Sequence, residues 1–353
     1  MKKEETLICK GIAIIMMYIH HLFYPIDWYQ EYPLNLIIFN EYQITQIAYL
    51  CKICVAIFVF LTGYGYTKSQ KSKQLSYEVS VCKRLVRLLT GFWIVFILAL
   101  ISGTFLGRSP FDVYGKTIPF TIFYLILDGL GLANIMKTPT FNGTWWYMSY
   151  AILLVFITPY IIKWVKKAPG TSLVISLIFP RFLTSDIFIS PFYWYSFTLV
   201  LGITCAEFNL FERMNTYFKS KKHVDIILIL IVGYYLAKVR DGFFDGVDGL
   251  LAAFVCYTAY CLISKIPILN KTLMFLGKHS MNLFFIHTFI YFYYFRKFIF
   301  SFQYPIAVAC LLLLTTIVLS IFIEKLKDII QYAKFEKISY EKLLKVLNYI
   351  KQN

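Results

Sequence analysis

The 353-residue chain is 59% hydrophobic and 19% aromatic, and its mean hydropathy is +0.65. A composition this apolar excludes a soluble globular protein and leaves no room for a sizeable soluble domain. The formal net charge of +16 does not indicate nucleic-acid binding, because the cationic residues cluster in a few segments between apolar runs.

Ten apolar runs approach the length of about 20 residues that a membrane-spanning helix needs. We therefore predict an all-α, polytopic bundle of about ten transmembrane helices with both termini in the cytoplasm. This orientation places 26 of the 35 Lys and Arg residues on the inner side, as the positive-inside rule requires. The predicted spans are 7–25, 47–66, 85–103, 145–163, 172–188, 192–208, 224–238, 247–264, 273–295 and 304–322.

Two segments need separate interpretation. If the apolar segment 118–136 crossed the membrane, every later loop would move to the opposite side, and the basic loops would lie outside. We therefore interpret this segment as an outer re-entrant or interfacial helix. Residues 1–323 form the predicted membrane domain, and residues 324–353 form a cytoplasmic amphipathic tail. Apolar residues recur at helical spacing in the tail, which predicts a helix lying either on anionic lipid or on the protein's own loops.

The first predicted span carries ionisable residues on one face. Lys10 and His21 are separated by about three full turns of an α-helix, or about 16 Å along its axis. The side chain of His20 points about 100° away from that of His21. Ionisable side chains inside a span are costly in hydrocarbon and mark functional sites that face the bundle interior. The spacing therefore predicts a functional stripe that runs across the bilayer.

Lys83, Arg84 and Arg87 stand where a basic segment enters the third predicted span. The two arginines are three residues apart and can bind phosphate groups bidentately. The alternative is contact with lipid phosphates. Trp145 and Trp146 lie at an aromatic outer end, which is typical of a membrane-interface belt or of a platform for stacking sugar rings.

A second intramembrane histidine, His287, lies in the ninth predicted span. A buried imidazole stays neutral and can accept a proton from a hydroxyl group. The alternative is a structural histidine that bonds a Ser or Tyr hydroxyl. No zinc-binding spacing is present, and adjacent histidines on one helix cannot both face one metal ion. We therefore expect no metal cofactor.

Several separated motifs resemble those of the membrane acyltransferase-3 family, whose members are integral-membrane O-acyltransferases of cell-surface glycans. The family's first-span signature is a basic residue, usually Arg, with a His eleven residues later. Its later motifs are a Ser-Gly-Tyr ending, a basic cytoplasmic entry, a Trp-Phe-Leu-Ser span ending in Pro, and a Leu-Gly-Lys run that precedes a His. The matching residues here are Lys10 and His21; Thr62, Gly63 and Tyr64; Arg84 and Arg87; Trp146, Ser149 and Pro159; and Leu276, Gly277, Lys278 and His287.

Two departures from the family pattern bear on the chemistry. Ala151 stands where many members carry Glu, so another acid such as Asp128 must substitute if that carboxylate is needed. Lys10 keeps the positive charge of the usual Arg but lacks the guanidinium fork, so it cannot make a bidentate contact.

The resemblance implies a cytoplasmic acyl-CoA donor, usually acetyl-CoA as a co-substrate, and a glycan hydroxyl acceptor at the outer face of a bacterial cell membrane. His21 would remove the acceptor's proton, or would carry the acyl group itself. The implied catalytic residues are His21, Lys10 and His287; the donor-binding residues are Lys83, Arg84 and Arg87; and the acceptor-binding residues are Trp145, Trp146, Asp128 and Ser149.

Other functions and details stay open on the sequence alone. A non-enzymatic glycan exporter or flippase of the same fold is the main alternative, and an acyltransferase with a lipid acceptor is a weaker one. The sequence does not distinguish an acetyl from a succinyl donor. It also leaves open the acceptor glycan, its hydroxyl position and the oligomeric state.

Overall fold

The computed structural model describes residues 1–37, 39–115, 117–182, 194–219, 231–235, 237–238 and 246–352. These residues form helices and loops, with no strand among them. A π-helical turn, Phe289–Tyr294, directly follows the α-helix that ends at Thr288. The α-helices are α1 (Lys3–Phe23), α2 (Glu41–Leu50), α3 (Cys54–Lys73), α4 (Tyr77–Phe105), α5 (Pro110–Tyr114), α6 (Ile118–Gly129), α7 (Trp146–Lys167), α8 (Pro169–Ile178), α9 (Ser196–Glu207), α10 (Leu210–Lys219), α11 (Gly246–Cys261), α12 (Pro267–Thr288), α13 (Arg296–Phe300), α14 (Pro305–Ile329) and α15 (Tyr332–Gln352).

The prediction of an all-helical membrane protein is confirmed. Within the described residues, five helical segments are long and apolar enough to cross a membrane: Lys3–Phe23, Glu41–Ser72, Tyr77–Phe105, Gly143–Lys167 and Pro305–Ile329. They coincide with the first four predicted spans and the tenth. The predicted span 224–238 lies mostly outside the described residues, as do parts of 172–188 and 192–208. The ten-span count and the cytoplasmic termini stay predictions.

Helix α6 occupies the segment interpreted as re-entrant or interfacial. Its 12 residues extend over about 18 Å, which is too short to cross a hydrocarbon core of about 30 Å. The indole Nε1 of Trp93 donates to the Gly129 carbonyl at the end of α6 (2.8 Å). Gly131, two residues later, adopts a φ of +71°, a conformation that favours glycine. The chain thus turns back at this point and remains attached to α4.

Residues Met1–Ser72, Tyr160–Ser280 and Phe300–Leu313 form a compact unit, here called the α1 unit. Glycines allow two of its helix pairs to approach closely. In the first pair, Gly11 of α1 faces the backbone of α12, and Gly277 of α12 faces the backbone of α1. In the second pair, Gly63 of α3 faces the backbone of α9, and Gly202 of α9 faces the backbone of α3. A Cβ atom at any of the four would overlap a backbone carbonyl group of the partner helix. Small residues at crossings of this kind let membrane helices pack backbone against backbone.

Residues Lys73–Pro159, Met281–Ile299 and Leu314–Asn353 form a second compact unit, here called the α4 unit. Helix α4 has 29 residues and is about 44 Å long. The end of α12 runs parallel to it, because Phe285 contacts Phe92 and Tyr294 lies beside Gly103 further along. The buried core of the unit is aromatic and includes Phe92, Phe96, Phe141, Trp145, Phe285 and Phe289.

The tail helix α15 packs along the first half of α4. The Thr90 hydroxyl donates to the Val86 carbonyl (2.8 Å), so the Tyr332 hydroxyl donates to Thr90 (3.0 Å). The rings of Trp93 and Phe335 lie 6.5 Å apart one turn further on. The start of the tail helix therefore packs on a helix, α4, and not on the loops considered from the sequence, and its contact with lipid stays a prediction.

Candidate active site

His287 lies at the end of α12, fully buried in the α4 unit. Its ring stacks on that of Tyr291, with the centroids 5.9 Å apart. The imidazole Nδ1 lies 2.7 Å from the Phe284 carbonyl oxygen. Because a carbonyl oxygen can only accept, Nδ1 carries the hydrogen. In the neutral ring this leaves the lone pair on Nε2, which is the arrangement of a proton acceptor.

A row of polar groups leads from His287 to the loop before α7. The Thr288 hydroxyl oxygen lies 3.3 Å from Nε2 of His287 and 3.0 Å from the Thr144 hydroxyl oxygen. The Thr144 hydroxyl donates to Oδ1 of Asn142 (2.9 Å), and the Thr144 backbone N–H donates to the same atom (3.0 Å). Two donors identify this atom as the amide oxygen, so the orientation of the Asn142 amide is fixed.

The amide nitrogen of Asn142 is an unusual group in this row. Asn142 is fully buried, and its Nδ2 has no hydrogen-bond partner among the described residues. Most buried polar groups in native proteins are hydrogen-bonded, so an exception needs an explanation.

Asp128 and Arg108 hold the residue before Asn142 from both sides. Asp128 Oδ2 accepts from the Phe141 backbone N–H (2.6 Å) and from the Tyr114 hydroxyl (2.7 Å). Nε and Nη2 of Arg108 both donate to the Phe141 carbonyl (3.1 and 3.0 Å). Both backbone groups of Phe141 are therefore fixed by charged side chains, which restricts the position of Asn142.

Asp128 and Ser149, both predicted to contact the acceptor, make internal contacts. The Thr140 hydroxyl donates to Asp128 Oδ1 (3.0 Å), so both carboxylate oxygens accept hydrogen bonds from the protein. The Ser149 hydroxyl donates to the Gly131 carbonyl (2.5 Å) and ties α7 to the turn after α6. These contacts give both residues a structural role, and contact with an acceptor stays a prediction.

The two predicted tryptophans differ in their surroundings. Trp145 is only 3% exposed, and its ring is enclosed by aromatic core residues such as Phe92, at 4.9 Å between centroids. Its Nε1 donates to the Phe285 carbonyl (3.2 Å), two residues before His287. Trp146 is half-buried and packs edge-on against Tyr147. Trp145 therefore joins α7 to α12, and Trp146 is the better placed of the two to contact a ligand.

A cavity of about 430 Å³ lies beyond the end of α4. The guanidinium group of Arg108 lies over the Tyr293 ring, 4.0 Å from its centroid. The Gly143 backbone N–H donates to the Tyr293 hydroxyl (3.4 Å), so the cavity borders the loop that contains Asn142. The lining residues are Leu106, Gly107, Arg108, Asp112, Val113, Tyr293 and Tyr294.

A second cavity, of about 420 Å³, lies at the start of α4, where α15 covers it. Lys83, one of the predicted phosphate-binding residues, lines this cavity, and Arg84 and Arg87 lie within about one turn of it on the same helix. Burial raises the pKa of the Tyr332 hydroxyl, and the positive charge of Arg87 opposes this shift, so Arg87 lies near the start of α15. The lining residues are Leu75, Val79, Lys83, Val86, Ala333, Glu336, Lys337 and Tyr340.

His287 lies between the levels of these two cavities along α4. Phe92, which contacts Phe285, is nine residues after Lys83, or about 14 Å along the axis. The remaining turns of α4 extend about 20 Å from Phe92 to Phe105. The α4 unit thus contains a cavity with charged lining residues at each end of a long apolar helix, and a buried imidazole between them.

The other predicted catalytic residues lie in the α1 unit. Lys10 and His21 are both half-buried on the continuous helix α1. The neighbouring His20 donates from Nδ1 to the Ala48 carbonyl (2.9 Å), and its ring stacks on that of Tyr24. The structure therefore separates the two adjacent histidines by role, since His20 attaches α1 to α2. His21 keeps its predicted role as a hypothesis.

Sequence reasoning missed Asn142, Thr144 and Arg108. The run Asn142–Gly143–Thr144 does carry a local signal, because Asn is a preferred residue at the start of a helix. That signal accounts for the contacts of Oδ1 and says nothing about Nδ2. Arg108 follows the third predicted span, and the sequence carries no signal for its contact with Phe141. Among the described residues, no group of three His, Cys, Asp or Glu side chains could hold a metal ion.

Long apolar helices, a buried proton acceptor and cavities with charged lining residues at both ends of one helix are features of an integral-membrane enzyme. A family model described as an acyltransferase domain matches residues 8–325. The chain therefore belongs to the acyltransferase-3 family, and it is in general terms a membrane acyltransferase. Neither a curated protein nor a solved structure matches the chain.

Proposed function

We propose that this protein transfers an acyl group, acetyl in the first instance, from cytoplasmic acyl-CoA to a hydroxyl of an extracytoplasmic glycan. The observation that carries the proposal is the position of His287. Its neutral ring presents Nε2 as a proton acceptor at a level between two cavities at opposite ends of α4, each of which has charged lining residues. Chemistry across a bilayer requires access to a reacting centre from both sides.

The cavity at the start of α4, which Lys83 lines, is suited to the acyl-CoA donor. Lys83 and Lys337 line it from two helices, and Arg84 and Arg87 add guanidinium groups that can bind phosphates bidentately. Tyr340 offers a ring face to adenine. The distance of about 14 Å along α4 from Lys83 to the level of Phe92 is one that an extended pantetheine arm covers. The positive-inside rule places this end of α4 in the cytoplasm.

The cavity beyond the end of α4, which Arg108 lines, is suited to the glycan acceptor. Arg108 and Asp112 supply a donor and an acceptor of hydrogen bonds for sugar hydroxyls, and Tyr293 and Tyr294 supply aromatic surface. Ligand sites commonly combine apolar walls with a few fixed polar groups of this kind. The cavity also borders the loop of Asn142 and Thr144, which leads to His287.

The chemistry is a direct transfer to oxygen. The acceptor hydroxyl oxygen attacks the thioester carbonyl carbon while its proton passes to Nε2 of His287. The tetrahedral intermediate then collapses, the carbon–sulfur bond breaks, and the thiolate of CoA takes the proton from the imidazolium. The products are an ester and free thiol, and the histidine returns to its neutral form. His21, the base expected from the sequence, is the competing assignment.

The proposal is tested in inside-out membrane vesicles from host cells that contain the native chain or a variant. Acetyl-labelled acetyl-CoA is supplied outside, and label is counted on the envelope glycans enclosed in the lumen. We expect the native chain to label the glycan and His287→Ala to lower the rate about 10²–10⁴-fold, the usual contribution of a general base. His279→Ala, a half-exposed histidine on the same helix, should keep the native rate.

The other outcomes are equally specific. A fully active His287→Ala variant together with an inactive His21→Ala variant would assign the base to His21. Label found in lipid would indicate a lipid acceptor. Accumulation of unlabelled glycan in the lumen, only when the native chain is present, would indicate an exporter and not an acyltransferase.

A further inference from the structure

The buried Asn142 amide nitrogen has a defined direction and no acceptor. Its oxygen is held by the Thr144 hydroxyl and backbone N–H, so the amide cannot rotate to exchange its two ends without losing both contacts. The nitrogen, Nδ2, is left as a buried donor without a partner among the described residues. A buried donor of this kind is costly in the free protein. A bound group that accepts from it would recover this cost.

We infer that Asn142 Nδ2 donates to the carbonyl oxygen of the acyl thioester and stabilises the oxyanion that forms there. This inference rests on the proposed function. Contacts through Thr144 and Thr288 join Asn142 to His287. The hydroxyl oxygens of Thr144 and Thr288 lie 3.0 Å apart, and the Thr288 oxygen lies 3.3 Å from Nε2 of His287. Acyl transfer needs a hydrogen-bond donor and a proton acceptor at one reacting carbon, and this buried network contains one of each.

The position of Asn142 is fixed before any substrate binds. The Phe141 N–H is held by Asp128, and the Phe141 carbonyl is held by Arg108. The Trp145 N–H donates to the Asn142 carbonyl (3.0 Å) and begins the helical turn that follows. Donors fixed in this way stabilise developing charge without reorganising during the reaction, and this makes oxyanion stabilisation effective in a buried site.

The role of Nδ2 in the reaction can be stated atom by atom. As the acceptor oxygen bonds to the carbonyl carbon, the carbonyl π electrons move to its oxygen, which becomes an alkoxide. Nδ2–H of Asn142 hydrogen-bonds this alkoxide without transferring its proton. When the carbon–sulfur bond breaks, the electrons return to form the ester carbonyl, and the hydrogen bond weakens. Asn142 is therefore neither acid nor base in this scheme.

Asn142→Asp tests the inference directly. Aspartate keeps an oxygen for both contacts with Thr144 and replaces only the donor. In the vesicle assay we expect kcat to fall about 10²–10³-fold, the effect of removing one oxyanion donor. The KM for acetyl-CoA should stay near the native value, because the lost contact forms mainly in the transition state. Asn134→Asp, at an exposed position in the same loop, controls for the added carboxylate and should keep the native rate.

A second variant removes the influence of charge. Asn142→Ser is neutral and keeps an oxygen that accepts at the start of the helix, but it does not carry an amide donor to the same place. Both variants should show the same loss of kcat, with a Tm in detergent close to that of the native protein. A purely structural Asn142 would instead lower Tm, or raise KM, with little specific effect on kcat.

The inference is overturned if either folded variant transfers acyl groups within about threefold of the native rate, because an oxyanion donor contributes more than that. The proposed function would survive this result, since the native chain would still label glycan and His287→Ala would still lower the rate of labelling. Failure of the native chain to transfer label from acetyl-CoA would refute the proposed function itself. The two failures are therefore distinguished by the native control.

Discussion

Asp128 shows how one carboxylate can organise a loop through internal hydrogen bonds. Its two oxygens accept from the Phe141 backbone N–H, the Tyr114 hydroxyl and the Thr140 hydroxyl. The residue was selected from the sequence as an acid available to the acceptor. The hydrogen bonds give a structural reason for its burial, because they fix the loop that carries Asn142.

We expect Asp128→Asn to lower the free energy of unfolding by about 1–3 kcal/mol, since the amide group leaves at least one buried donor without an acceptor. Thermal or urea unfolding in detergent measures this change. Asp112→Asn is the matched control, because the exposed Asp112 accepts, among the described residues, only from the Ser109 N–H (3.1 Å), and Asn can also make this contact. A native-like stability of Asp128→Asn combined with weaker acceptor binding would support the original substrate-contact hypothesis instead.

Residue type and spacing pointed to some residues of the candidate site and could not point to others. His287 and Lys83 were found because an ionisable residue in or beside an apolar run is conspicuous. The environment of Trp145 could not be predicted, since an aromatic residue at the end of a span suits lipid, ligand or core equally. The unpartnered nitrogen of Asn142 depends on a loop conformation that Asp128 and Arg108 fix from distant parts of the sequence.

At the scale of helices, glycines determine which pairs can touch. Gly63, part of the Thr62-Gly63-Tyr64 motif, lies on α3 against α9. A Cβ at this position would come within 2.6 Å of the Leu199 carbonyl oxygen, whereas a Cβ at Gly65 would meet nothing within 4 Å. The motif glycine is therefore explained by close approach of two backbones.

We expect Gly63→Ala to destabilise the protein by about 1–3 kcal/mol, the usual cost of inserting an extra carbon into a packed interface. Gly65→Ala, two residues later on the same helix, should be neutral or stabilising by about 0.5–1 kcal/mol, because alanine is the better helix former. Unfolding midpoints in detergent compare the two variants. Equal effects would mean that the α3–α9 crossing does not depend on a glycine.

Helix prediction was most successful where apolar runs were long. Helices α1, α4 and α14 each match a predicted span, because hydrophobicity over about 20 residues dominates other signals. The partner of α15 was not predictable, since an amphipathic pattern fits lipid and protein surfaces alike. The π-helical turn after His287 also left no trace in the sequence pattern. Such turns are frequently found at functional sites.

At the scale of the whole molecule, the proposed reaction requires that α4 present its two ends to opposite sides of the membrane. The described residues contain one exposed cysteine, Cys310, so a Cys310→Ser background permits site-directed labelling. We expect a membrane-impermeant maleimide added to intact cells to label Asp112→Cys and to spare Lys83→Cys. Inside-out vesicles should reverse this pattern. Labelling of both positions from one side would exclude a transmembrane α4 and, with it, the two-sided mechanism.

The crossing of α1 and α12 has a consequence for how the chain is made. Gly11 meets Leu273, more than 250 residues later in the sequence. A nascent membrane protein is synthesised from its N-terminus, so α1 enters the bilayer long before its partner leaves the ribosome. Until then its glycine face and Lys10 must rest against lipid or against insertion factors of the cell. The motif that prepares α1 for its final partner thus makes it a poor solitary helix, and assembly of the α1 unit can finish only after α12 has been synthesised.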